Sequence, residues 1–251
     1  MKEIFSAPWT IVLFSLLFGY LAGSLSFARI ITVLKTRSKK IAPISQPIPG
    51  TNRIFESDSI SATVISQNLG KHFGCLTSLL DMIKVGLPTF LVMYWFPEEP
   101  YFLAAALMGV LGHIFPVYHG FKGGRGESPM IGAMLIINWY GIFIANAAAM
   151  VLGYLSGSVL VLRYGWYVLM IGWYWILFHD IRYIGFMLGA NILFWYSMSK
   201  DLAKYADLKQ EKGLEIKEED VSDFILMGRG LGRFFDSYSG RSLLKKLLKK
   251  N

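Results

Sequence analysis

The sequence predicts an all-α, multi-pass membrane helix bundle, and three observations carry that prediction. Hydrophobic residues make up 54% of 251, with a mean hydropathy of +0.44. Charge-free runs extend from Ile4 to Ala28 and from Ser128 to Leu162, where about 20 apolar residues suffice to span a bilayer. The chain also holds 7 Trp and 13 Tyr. Several of them (Trp9, Tyr94, Trp95, Tyr101, Trp195, Tyr196) stand near run ends, where interfacial belts form.

The first run is too long for a signal-peptide core and has only Lys2 against Glu3 before it, so it reads as a retained span. Apolar periodicity and run length place helices at 8–34, 72–96, 101–118, 139–153, 157–178 and 182–199, with a short one at 129–138. The connection 35–71 carries six Lys/Arg against two acidic residues and should be cytoplasmic. Its part 35–58, with Pro43, Pro47, Pro49 and Gly50, reads as irregular. Glu98-Glu99-Pro100 is a short acidic turn that should face outward. The loop at 112–126 then returns to the cytoplasm, which puts the amino terminus outside.

Read as one span, 128–162 gives six helices and an outside tail. Lys200 and Lys204, immediately after the last span, argue instead for a cytoplasmic tail. A break at Asn138 resolves the conflict, giving seven spans with short or broken helices around a cytoplasmic-side pocket. His179-Asp180 then falls in a loop on the opposite side. Residues 1–205 form the membrane domain and 206–251 a charged cytoplasmic tail. Residues 200–223 read as a charged helix, and 241–250 repeats Leu and Lys pairs with one apolar and one basic face, as in helices that lie on anionic membranes, with a frayed basic terminus as the alternative.

Composition narrows the chemistry. Cys75 is the only cysteine, so neither an internal disulfide nor a thiolate metal site can form, and no metal or cofactor is called for. The net charge of +8 sits in the loops and tail and fits anionic lipid headgroups rather than nucleic acid.

The stretch Gly112-His113 to Arg125-Gly126 is the strongest candidate site. Gly123, Gly124 and Gly126 let backbone N–H groups approach an anion, and Lys122 and Arg125 add positive charge beside them. His113 can exchange a proton near neutral pH. Asp81 and Lys84, three apart in an apolar span, share a helix face. Burying either alone costs roughly 3 kcal/mol, so they should pair or line a polar cavity. Ser24 and Arg29 add a hydroxyl and a cation at the cytoplasmic end of the first helix. Arg163, inside the predicted span 157–178, either snorkels or lines the cavity.

These residues resemble the motifs of the bacterial acyl-phosphate:glycerol-3-phosphate acyltransferases, over roughly residues 8–205. The third motif is matched by Gly112-His113, Phe115-Pro116 and Phe121-Lys122-Gly123-Gly124-Arg125-Gly126, with Arg125 in place of lysine. The first is recognisable in Gly23-Ser24 and Phe27, with Ser26 where proline is usual. The second survives in Ala62-Thr63, Leu69-Gly70-Lys71, Gly74 and Leu80-Asp81-Met82-Ile83-Lys84. Ser59, Val64 and Gln67 stand where that motif has two asparagines and an arginine, and Ser197, Met198 and Asp201 where an Arg-His pair and an asparagine follow the last helix.

The resemblance implies an inner-membrane enzyme of seven helices that transfers an acyl group from acyl phosphate to glycerol 3-phosphate, giving lysophosphatidate. Taken with the residues above, it assigns His113, Lys84 and Ser24 to catalysis. It assigns Lys122, Gly123, Gly124, Arg125, Gly126, Ser128, Arg29, Asp81, Ser59 and Gln67 to substrate and phosphate binding. Partners are acyl phosphate, glycerol 3-phosphate or a related acceptor, and membrane lipids. His113 is a proton-acceptor candidate, with the substrate phosphate as the alternative. The rival readings are a catalytically impaired relative that binds an anionic lipid or an altered acceptor, and a transporter of an anionic substrate.

Overall fold

The computed structural model describes residues 8–47, 54–57, 59–210 and 229–248. Its compact units are two. The first holds residues up to Trp139 together with Asp180–Leu202, and the second holds Tyr140–His179 and the residues from Ala203 on.

In the first unit, α1 (Pro8–Gly23) opens on a proline, the residue whose fixed φ and missing N–H suit a first helical turn. It does not run on to residue 34 as the apolar pattern suggests. The Ser24 hydroxyl donates back to the Tyr20 carbonyl at 2.8 Å, the chain leaves the helix over 24–26, and α2 (Phe27–Thr36) begins again. Arg37 in the left-handed region (φ 56) closes α2, its N–H returning to Val33.

Within the segment read as irregular, β1 (Ile44–Pro47) pairs antiparallel with β2 (Ile54–Ser57), Gln46 opposite Phe55. It is the sole sheet among the described residues. Next comes α3 (Ala62–Leu69). Gly70, at φ 104, separates it from α4 (Lys71–Trp95).

Small residues let the helices of this unit approach closely. A side chain on Gly19 or Gly23 would run into the backbone of Ala105 or Gly109 on α5 (Tyr101–Ile114), and one on Gly112 would strike the Tyr20 carbonyl. That is small-residue packing at a four-residue interval, which substitutes van der Waals contact for a hydrophobic driving force inside a bilayer. Because the contacts advance together along both helices, α1 and α5 run in the same direction.

The helix α8 (Ile181–Gln210) also runs parallel to α5. Phe102 faces Tyr183 and Phe115 faces Tyr196, with ring centroids 6.2 and 5.9 Å apart, and Gly189 lies against Leu107 between them. At one end Arg182 pairs with Glu99 and Asp180; at the other Arg125 pairs with Asp201. Asp180 therefore falls at the end of this unit away from the glycine loop.

The long apolar region 127–156 forms α6 (Glu127–Ser156), interrupted at Asn138 (φ −159, ψ 80), the break expected from the sequence. In the second unit the later part of α6 turns back at Gly157 (φ 69) into α7 (Val159–Phe178), where the Ser158 hydroxyl accepts from the Val161 N–H. Tyr164, Tyr167 and Tyr174 are fully buried there. Arg163 lies over the Tyr164 ring, 5.1 Å from its centroid. Among the described residues this unit also holds two short helices, α9 (Arg229–Tyr238) and α10 (Gly240–Leu248).

Five segments among the described residues are long and apolar enough to cross a membrane: Pro8–Thr36, Lys71–Trp95, Tyr101–His119, Glu127–Ser156 and Val159–Phe178. The chain is thus an all-α, multi-pass membrane bundle, with five such segments rather than the seven expected. Two reasons are physical. Residues 127–137 span only roughly 16 Å of helix axis, half a bilayer. The last helix carries Arg182 and Asn191 among its apolar residues and continues into the charged stretch from Lys200. The expected charged helix at 200–223 is present as far as Gln210, and its remainder lies outside the described residues.

Candidate functional site

His113 is the penultimate residue of α5 and is buried. Beyond it the chain makes a single 3-10 turn at Val117–His119 and reverses through Gly120 and Phe121, both left-handed (φ 60 and 59). The glycine loop then folds back over the imidazole. Gly124 donates its N–H to the His113 carbonyl at 3.1 Å, and Ile60 donates to the Gly123 carbonyl at 3.0 Å.

Glycine is required here chiefly because backbones meet. A Cβ on Gly123 would collide with the His113 and Ile114 carbonyls, and one on Gly124 with the imidazole Nε2 and the Ile60 carbonyl. Of the three glycines expected to bind an anion, only Gly126 uses positive φ (86).

Lys84 is the centre of the arrangement. An ammonium has three hydrogens, and three protein acceptors surround this one. They are the Leu25 carbonyl at 2.5 Å, His113 Nδ1 at 2.8 Å and Asp81 Oδ1 at 2.8 Å. Each comes from a different local cause. The break between α1 and α2 frees the Leu25 carbonyl from helical bonding, the three-residue spacing puts Asp81 beside Lys84, and the end of α5 supplies His113. Side chains of the Asp81–Lys84 pair are 4% and 2% exposed, and charges this buried persist only when paired and hydrogen-bonded. With Lys84 donating to Nδ1, the proton of a neutral His113 rides on Nε2, the nitrogen that faces Gly124.

Asp81, Lys84, His113 and Gly124 line a small cavity together with Ser26 and Ile60. The structure thus brings five of the predicted site residues, Asp81, Lys84, His113, Gly123 and Gly124, to one small pocket. The others surround it or stand apart. Ser24 is buried beside it, donating to Tyr20 and accepting from the Val117 N–H at 3.3 Å, so it holds the loop rather than facing the cavity. Arg29 reaches the Lys122 carbonyl at 2.7 Å and the Ser26 hydroxyl at 3.4 Å, tying α2 to the loop. The Lys122 side chain is exposed. The Ser128 hydroxyl pairs with that of Ser78 at 2.8 Å. Ser59 and Gln67 are not among the cavity residues; Gln67 is exposed on α3 while Val64 is buried in the core.

Arg125 points elsewhere than expected. Its Nε and Nη2 both donate to Asp201 Oδ2, at 3.1 and 2.6 Å, and its carbonyl accepts from the Ser197 hydroxyl at 2.9 Å. Ser197 and Asp201 were the positions where the sequence departs from the family motif. The sequence signal that could have revealed this contact was the paired change: a longer, forked cation in the loop and an acid on the last helix.

Residues 13–207 match the family profile described as glycerol-3-phosphate acyltransferase. This chain belongs to the glycerol-3-phosphate acyltransferase family. The glycerol-3-phosphate acyltransferase of Aquifex aeolicus is 31% identical over 144 residues, 53% of this chain and 68% of that protein. That of Methylorubrum extorquens is 34% identical over 153 residues, 61% of this chain and 68% of its own. In fold the chain is similar to PlsY (YgiH), an integral membrane glycerol 3-phosphate acyltransferase. Its lysophosphatidic acid form and its glycerol 3-phosphate form align with TM-scores of 0.60 and 0.61, at 21% identity, over 78% of this chain and 92% of PlsY. The chain is accordingly a divergent member of a membrane acyltransferase family, and the loop that carries the resemblance is the loop that roofs the Lys84 pocket.

Proposed function

We propose that this protein transfers the acyl group of an acyl phosphate to the 1-hydroxyl of glycerol 3-phosphate, releasing lysophosphatidate and inorganic phosphate at the cytoplasmic face of the inner membrane. The observation that carries the proposal is the buried Asp81–Lys84–His113 cluster under the glycine loop of a family member. Both substrates are phosphate anions, and the cluster lies beside a small cavity lined by Lys84, His113 and the loop glycines Gly123 and Gly124.

An acyl phosphate is already activated, so no covalent enzyme intermediate is needed. The hydroxyl oxygen forms a bond to the acyl carbon, the bond from that carbon to the phosphate oxygen breaks, and phosphate leaves with the electron pair. Holding the two substrates together supplies much of the acceleration. Because Lys84 occupies Nδ1, His113 acts as a hydrogen-bond donor through Nε2, towards phosphate or the developing oxyanion. The proton of the attacking hydroxyl then goes to the departing phosphate. Lys84 serves by holding Leu25, Asp81 and His113 in place.

The test is an assay of the purified protein with acyl phosphate and glycerol 3-phosphate, measuring phosphate and lysophosphatidate. His113→Gln keeps a donor and should lose less than about tenfold, whereas removal of a general base costs 10²–10⁴-fold. A loss in that larger range would make His113 the base. Absence of phosphate release by the unaltered protein would refute acyl transfer.

A second reading, an altered acceptor, is favoured by one observation. Val64 is buried and Gln67 exposed, so the changed second-motif positions offer no cation to a glycerol phosphate. Offering other hydroxyl acceptors in the same assay separates the two readings.

Topology follows from the first unit. The chain stands at the loop end at Arg125, at the opposite end at Asp180, and at the loop end again at Asp201. An odd number of crossings therefore separates Arg125 from Asp180, and the total is odd as well. That supports termini on opposite faces of the membrane, and the basic connection 35–71 is the ground for putting the amino terminus outside and the tail inside.

A further inference from the structure

The helix α10 and its flank, residues 240–251, contain Arg241, Lys245, Lys246, Lys249 and Lys250 and no acidic residue. Four leucines of α10 have no cover: Leu243, Leu244, Leu247 and Leu248 are 42%, 58%, 65% and 68% exposed. They recur at intervals of one and four, so they form a single stripe. Within α10, Lys245 and Lys246 follow two positions after Leu243 and Leu244, about 200° round the helix. A contiguous apolar stripe of this kind marks an interaction surface.

Its setting within the second unit says which surface. The turn at Gly157 joins two helices that are each apolar enough to cross a membrane, so it lies at a membrane face. The corner between α9 and α10 is seated on that turn. A Cβ on Gly157 would meet the Ser239 hydroxyl at 2.7 Å, one on Gly240 would meet the Leu155 carbonyl at 2.9 Å, and Phe235 is buried with its ring edge-on to Tyr154. The start of α10 is thereby fixed at the level of the membrane surface, in contact with the last turn of a spanning helix.

We infer that α10 is a docking helix for the anionic lipid surface beside the bundle, its leucines entering the headgroup boundary and its lysines contacting acidic headgroups. The wall of the second unit brings the helix to the surface. The charge, unopposed along 240–251, selects acidic lipid over zwitterionic lipid.

The experiment uses the full chain in lipid nanodiscs. Cys75, the sole cysteine and an exposed one, is replaced by Ser, and an environment-sensitive fluorophore is attached to Leu247→Cys or, as a second variant, Leu244→Cys. In discs containing phosphatidylglycerol the emission should shift to the blue and be quenched by brominated acyl chains at both positions. Lys245→Gln with Lys246→Gln should shift the docked fraction by about thirtyfold in equilibrium constant, and raised salt should act in the same direction. Equal quenching in phosphatidylcholine discs, insensitive to the lysine changes, would overturn the headgroup selection. Unquenched probes in both lipids would overturn membrane docking. Protection that depends on two copies per disc would assign the stripe to a second copy of this chain instead.

Discussion

The two ends of α5 carry the same kinds of charged residue and use them in opposite ways. Near Glu99, Arg182 meets two carboxylates, but the Arg182 and Glu99 side chains remain 54% and 48% exposed. Hydrogen bonds from Arg182 hold the Asp180 carboxyl below its ordinary pKa, yet water competes for every partner, and exposed pairs contribute little. At the loop end Lys84 and Asp81 are almost wholly buried, and Arg125 and Asp201 are 13% and 9% exposed. There each ion depends on protein partners, because removing one leaves a charge stranded in a poor solvent. A surface ion cluster tolerates change, while the buried one dictates geometry. The family motif lies at the buried end.

Four measurements test whether burial decides which of these ions matter. The largest effect is all-or-none. With Cys75 changed to Ser, a cysteine at Glu98 should react with an impermeant reagent added outside intact cells, and one at Lys122 should react only after permeabilisation. Reaction at both positions from outside would place the two ends on one side and remove the odd-crossing topology. Next is Lys84→Ala, which strands Asp81 and releases Leu25 and His113 together. Loss of one buried partner costs about 3–5 kcal/mol, so a large fall in thermal stability should accompany loss of activity. Unchanged melting would show that the cluster does not hold this corner.

A smaller effect belongs to the clasp between the loop and α8. A double-mutant cycle of Arg125→Gln and Asp201→Asn should give a coupling of about 1–3 kcal/mol in stability, with loop-dependent activity falling in each single variant. If Arg125 contacts substrate directly instead, Asp201→Asn would tighten phosphate binding rather than weaken it. The smallest effect is expected at the other end, where Arg182→Ala should leave the melting temperature and activity within error. A clear loss there would show that exposure is a poor guide to which ions matter in this bundle.

Much of this was legible along the chain. Charge-free runs and their aromatic borders specify a membrane bundle because hydrocarbon admits few other sequences. The three-residue spacing of Asp81 and Lys84 specifies a shared helix face, and Asn138 marks the interruption of α6. His113 and its glycine loop could be singled out because histidine, paired cations and closely spaced glycines rarely coincide beside an apolar run. All of these are local patterns, and local patterns follow from helix period and solvent.

Tertiary contact decided the rest. Nothing near Leu25 announces that its carbonyl meets an ammonium 59 positions away, and Arg125 taken by itself does not single out the acid 76 positions on. The glycines of the loop read as freedom to bind an anion, and packing shows two of them required by the approach of His113 and Ile60. Ser24 reads as a reactive hydroxyl and is a bracket for the loop. Sequence spacing reports which side chains share an element. Which elements lie within 3 Å of one another is set by the small residues that let α1, α4 and α5 approach, and only the assembled bundle shows where each donor finds its acceptor.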